Sequence, residues 1–178
     1  MQQWRLATMA IIVLGGIAVL GSYIHGATTA PGKASALWGG VPKALLPAYT
    51  VAMFLAAAGF LLYTYFLLFR LEPAVVRFGF GLDFRVVPLV YLLILIPSAL
   101  WMSLTIAMVD APSPAIWAAI RLVLFAVGFG ALAVLVLLLT AQPRQAGAAY
   151  WAAVVGAAMF FVHTGILDAL LWPYYFPR

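Results

Sequence analysis

The chain has no cysteine, so it cannot build a disulfide, a thiolate metal site, an iron–sulfur cluster or a cysteine nucleophile. Charge is almost as scarce. Charged residues make up 7% of the sequence, against about 25% in a soluble domain, and only four are acidic. That shortage excludes a water-soluble monomer. Lysine occurs only as Lys33 and Lys43, both outside the apolar runs, which excludes an intramembrane lysine Schiff base of the retinal type. The net charge of +5 includes no cluster of adjacent Lys and Arg, so it reads as membrane orientation rather than a nucleic-acid surface.

What is abundant is apolar surface, with 67% hydrophobic residues. Five runs, at about 6–24, 47–69, 86–109, 115–140 and 148–172, reach the ~20 residues a helix needs to cross ~30 Å of hydrocarbon. The expected fold is therefore an all-α integral membrane protein, one five-helix transmembrane bundle without internal repeats, with the lipid bilayer as solvent. With the N-terminus inside, Arg5, Arg70, Arg77, Arg85 and Arg144 fall on the inner side and Lys33, Lys43 and Arg178 on the outer. The positive-inside rule favours that arrangement, as in a bacterial-type inner membrane with the C-terminus outside. Arg5 ahead of an apolar run, with small residues at Ala27 to Ala30, also resembles a secretory leader. The run is long for such a leader, so the first helix is expected to stay.

The connections are uneven. The first, Gly26 to Leu46, exceeds the usual 2–8 residues between packed helices and reads as either a floppy segment or a lid over the outer end. The segment from Arg70 to Arg85 reads as a basic surface connector, with Phe78, Phe80 and Phe84 dipping into the interface. Ser113 is placed to cap the fourth helix, with Pro114 at its first position. Ala148, Ala152 and Gly156, like Ala149, Ala153 and Ala157, recur every four residues and predict close helix packing. Trp172, Tyr174 and Tyr175 read as an interfacial aromatic anchor.

Sorted by depth, the polar residues of the apolar runs collect in one half of the membrane: His25, Tyr49, Thr50, Ser98, Ser103, Thr105, Arg121, His163, Thr164 and Asp168. An unpaired charge at that depth costs ~3 kcal/mol on insertion scales, so Arg121 and Asp168 are expected to meet as an ion pair or through a water, as part of a site or as a clamp on helix register, the remaining alternative being that Arg121 snorkels to the outer headgroups. Trp117, Leu124, Phe125 and Gly128 share the face of Arg121, and Ser98, Trp101 and Thr105 form a second face. Together these faces suggest an aromatic, mostly apolar cavity with a few directional polar groups. The same stripes also read as packing alone. His25 and His163 could supply the two axial imidazoles of a b-type haem. A metal held by His163 and Asp168 is disfavoured, because five residues separate side chains by about 140° on an α-helix.

Five short-looped helices, a tryptophan in a long first loop and abundant aromatics resemble the translocator protein, or tryptophan-rich sensory protein, family. Ser98 and Trp101 keep the spacing of that family's Asn and Trp in the third helix, with Met102 where it has Ser and Ser103 one later. Leu167, Asp168 and Trp172 match its Leu-Asn and following Trp in the fifth, with Asp replacing Asn. Trp38 and Pro42, then Pro47 and Tyr49, stand where its first loop leads into an aromatic second helix. The resemblance implies an outer pocket for porphyrins, sterols or other flat apolar ligands, lined by Trp38, Tyr49, Trp101, Arg121, His163 and Asp168, and a homodimer. Leu171, Tyr174 and Arg178 fit a loose sterol-recognition spacing, but so do Leu62, Tyr65 and Arg70, so the pattern does not discriminate.

The leading expectation is a membrane-embedded binding protein, sensor, receptor or transporter for a hydrophobic or tetrapyrrole-like small molecule. Its candidate ligand-binding residues are Trp38, Tyr49, Ser98, Trp101, Trp117, Arg121, His163 and Asp168. The alternatives are a structural or accessory subunit of a larger membrane complex with no ligand, and an enzyme or redox subunit using His163 and Asp168 for proton handling or His25 and His163 for haem. No residue set is assigned a catalytic role, and no cofactor is required, haem or porphyrin being the candidates.

Overall fold

In a computed structural model, which describes residues 1–176 apart from the side chains of Pro31, Ala34 and Ser35, helices form where the apolar runs predict them. Backbone amides in hydrocarbon have no water to bond, so each run satisfies its own hydrogen bonds as a helix. The five spans are α1 (Gln2–Thr29), α2 (Leu46–Arg70), α3 (Val86–Asp110), α4 (Pro114–Thr140) and α5 (Ala148–Tyr175), each long and apolar enough to cross a membrane. The protein is thus an all-α, multi-pass integral membrane bundle. At the start of α4, Ser113 Oγ accepts a hydrogen bond from the Ala115 amide at 3.2 Å and Pro114 occupies the first turn. Ser113→Ala should cost about 1 kcal/mol of stability, read as a lowered melting temperature in detergent.

Packing runs in the order α1, α3, α4, α5, α2: α1 lies along α3, α3 along α4, α4 along α5, and α5 along α2. On the flank of the bundle, α1 has few fully buried residues and packs on α3 along one face. The α2–α5 contact depends on glycine. A methyl group at Gly59 would sit 2.2 Å from the Gly156 carbonyl oxygen, so the two backbones touch directly. Gly156 is a member of the small-residue series predicted on α5. Between α4 and α5 a methyl at Gly128 would meet Gly165 Cα at 3.0 Å.

The apolar interior divides into two clusters. At the end that carries the α2–α3 connector Tyr63, Phe66, Phe84, Tyr91, Leu138 and Tyr150 are almost fully buried. There the Thr64 and Tyr91 hydroxyls bond each other at 2.7 Å. The connector between α2 and α3 contributes to this core instead of only skirting the surface. Phe78 and Phe84 are buried plugs, and of the three phenylalanines expected at the interface only Phe80 projects outward, 98% exposed. Backbone pairing of Arg77 with Gln142 ties this connector to the α4–α5 turn and holds the plugs in place. Arg5 adds a third tie, donating to the Leu71 carbonyl at 2.7 Å.

Candidate functional site

The second cluster fills the end of the bundle that carries the first loop, the outer end under the expected orientation. Its buried members include Val41, Tyr49, Ile120, Leu124, Trp172 and Phe176, with Trp38, Trp101 and Trp117 packed against them. Trp172 is the hub. Its ring lies 6.1 Å from Trp101, 6.2 Å from Trp117 and 4.6 Å from Phe176. Its indole N–H donates to the Leu37 carbonyl at 3.0 Å. The Gly40 amide in turn donates to the Tyr175 carbonyl at 2.8 Å, and Lys33 pairs with Asp110 at the end of α3. Between its two expected states, the first loop is therefore the lid: a 3₁₀ turn at Pro31–Lys33 and a single helical turn at Ala34–Leu37, docked on the end of α5.

Trp172 accordingly is no interfacial anchor, since only 4% of it is exposed, whereas Tyr174 is 79% exposed and fits that role. The signal for this was present: Asp168, Trp172 and Phe176 recur every four residues. The space imagined beneath the loop is occupied by these rings. A shallow groove of about 260 Å³ lies beside them at the α3–α4 turn, lined by Met108, Pro112, Ser113, Pro114 and Trp117.

Beneath the aromatic hub, α5 changes its winding. From Val162 to Leu171 it is π-helical, with hydrogen bonds spanning five residues instead of four. That register brings residues five apart toward one face, and His163 Nε2 lies 3.5 Å from Asp168 Oδ2. The 140° separation expected from α-helical geometry does not hold in this stretch. The expected Arg121–Asp168 pair is not formed. Arg121 instead places its guanidinium over the Phe125 ring at 4.8 Å, one turn along its own helix, and among the described residues it has no ion pair. The reason is register: Gly128 meets Gly165, so in antiparallel helices Arg121 stands level with the Trp172 region, about one turn beyond Asp168.

Two phenols complete the surroundings of Asp168. Tyr49 on α2 donates its hydroxyl to the Leu167 carbonyl at 3.2 Å, and both Tyr49 and Tyr23 on α1 interact electrostatically with Asp168. Tyr23, absent from the sequence-based set, also stands 6.1 Å from the Trp101 ring. It was hidden because a lone tyrosine near the end of an apolar run reads as an interfacial residue. Trp38 meets Tyr49 edge to face at 6.2 Å. Ser98 is turned inward on its own helix, donating to the Ile94 carbonyl at 2.7 Å. His25 is exposed on α1, whereas His163 is largely buried and engaged by Asp168. Among the described residues no group of three or more His, Asp or Glu side chains could hold a metal ion. Arg178 of the loose sterol pattern lies outside the described residues. Five buried side-chain atoms among the described residues have no hydrogen-bond partner: Trp101 Nε1 and His163 Nδ1 at this end, and Arg5 Nε and the Tyr63 and Tyr150 hydroxyls at the other.

These features define a class: a polytopic helical membrane protein with a lidded aromatic end and a carboxylate–imidazole pair set within the bundle. Comparison with protein-family models, curated proteins and solved structures finds no match.

Proposed function

We propose that the protein is a membrane-embedded binding protein, of the sensor or transporter kind, for a flat hydrophobic or tetrapyrrole-like small molecule held in its outer half. One observation carries this reading. Trp101 Nε1 is a buried donor without an acceptor, and His163 Nδ1, whose ring turns its Nε2 toward Asp168, is a buried acceptor without a donor. Native interiors rarely leave such groups idle, and the polar groups of a ligand would satisfy them. The aromatic rings around Trp172 offer flat apolar surface, and the docked first loop is the element that must lift or shift for entry.

The test is titration of the protein in lipid nanodiscs with an uncharged porphyrin such as octaethylporphyrin, followed by tryptophan fluorescence. Saturable quenching is expected. Trp101→Phe keeps the ring but removes the donor, and should weaken affinity about tenfold, the worth of one hydrogen bond in a dry site. Non-saturable quenching, or a Trp101→Phe affinity equal to that of the unaltered protein, would leave the cluster as packing alone.

A further inference from the structure

We infer that the ligand of the outer half carries a positive charge: a lipophilic amine whose ammonium group docks on Asp168 while its apolar body lies among the neighbouring aromatic rings. This deepens the binding reading above and rests on it.

The argument starts from charge. Of the four acidic residues, Glu72 and Asp83 lie in the α2–α3 connector and Asp110 is the last residue of α3, so Asp168 is the one carboxylate more than a turn inside a span. An ionised carboxylate at that depth needs a counter-charge. Arg121 does not provide it, being turned onto Phe125. Its ion-pair partner among the described residues is His163, at 3.5 Å, which neutralises it only when protonated. The carboxylate is also not sealed. Asp168 keeps 32% of its side-chain surface exposed, against 14% for His163. The carboxylate thus keeps an accessible side.

The surroundings select which cation fits. A divalent metal ion requires several oxygen ligands, and no group of three acidic or imidazole side chains is present among the described residues. An organic ammonium requires less: one carboxylate for charge and aromatic faces within about 6 Å for cation–π attraction. Tyr49 on α2 bonds the Leu167 carbonyl, next to Asp168 in the chain, and Tyr23, Trp101 and Trp172 form a continuous aromatic surface at this end of the bundle. An anionic ligand of the same shape would meet the carboxylate at close range and be repelled. The packing order also leaves an approach, because α1 lies along α3 while α2 lies along α5, so the two helices bearing these phenols are not packed along each other.

The experiment uses three probes sharing one ring and differing in charge: 1-naphthylmethylamine, 1-naphthalenemethanol and 1-naphthoate. Each is titrated calorimetrically into the protein in phosphatidylcholine nanodiscs, with empty nanodiscs subtracted to remove partitioning. The amine is expected to bind at least tenfold tighter than the alcohol, and the carboxylate weakest. Asp168→Asn should bring the amine down to the alcohol, and Asp168→Glu should restore the preference. Should Asp168→Asn fail to fold, the ranking in the unaltered protein still decides. Equal binding of amine and alcohol, or an amine preference that survives Asp168→Asn, overturns the inference and leaves the binding site standing. Absence of saturable binding by all three overturns the binding reading and this inference with it.

Discussion

Gly59→Val is expected to lower stability by an amount at the upper end of the ~1–3 kcal/mol typical of overpacking, because its side chain has nowhere to go. A Cβ at this position meets backbone: Gly156 O at 2.2 Å, its carbonyl carbon at 2.8 Å and its Cα at 2.9 Å. Flexible side chains yield to such a contact, but two helix backbones can respond only by moving apart. Separation would cost the packing that holds α2 to α5 and, with it, the Tyr49 hydrogen bond to Leu167. Gly16→Ala is the control, since nothing lies within 4 Å of a Cβ there. Thermal melts in detergent should therefore show a large drop for Gly59→Val and little change for Gly16→Ala. Equal melting temperatures for the two variants would mean that α2 and α5 do not meet at Gly59 and Gly156.

His163→Leu should cost about 1–3 kcal/mol, less than the 3–5 kcal/mol for breaking a fully buried pair, because Asp168 keeps 32% of its side-chain surface exposed. The cost comes from leaving a carboxylate in the bundle with its partner gone. Asp168→Asn removes that charge, so the double variant should lose less than the sum of the two single losses. The coupling should reach about 0.5 kcal/mol or more, whereas Arg121→Gln combined with Asp168→Asn should be additive within a few tenths. Chemical denaturation of the single and double variants measures both cycles. Coupling of Asp168 to Arg121, and none to His163, would reverse the assignment of partners. The same result would place the α4–α5 register one turn away from the one described here.

The contrast between those two cycles shows where the sequence could be read and where it could not. Helix number and approximate extent follow from runs of apolar residues, a local and additive property. The cap at Ser113 and the close-packing series ending at Gly156 were legible for the same reason, since each depends on residues within a turn or two. Partner choice for Asp168 was not legible. It depends on the winding of Val162–Leu171, which turns an unfavourable spacing of five into an adjacent pair. Trp172 was misplaced because a tryptophan near the end of a span reads as a headgroup anchor until the first loop is seen to dock on it. Phe78 and Phe84 were taken for surface contacts because the folding back of the α2–α3 connector depends on pairing with the distant Gln142.

By itself, then, the sequence determined that this chain is a five-helix membrane protein with few polar residues inside its spans, because hydrophobic length and charge avoidance are imposed by the bilayer one segment at a time. Only the tertiary structure decided which of those polar residues meet. Glycine contacts between backbones fix the axial register of α2, α4 and α5, and a π-helical stretch rotates one face of α5. Together they set Asp168 against His163 and leave Arg121 aside.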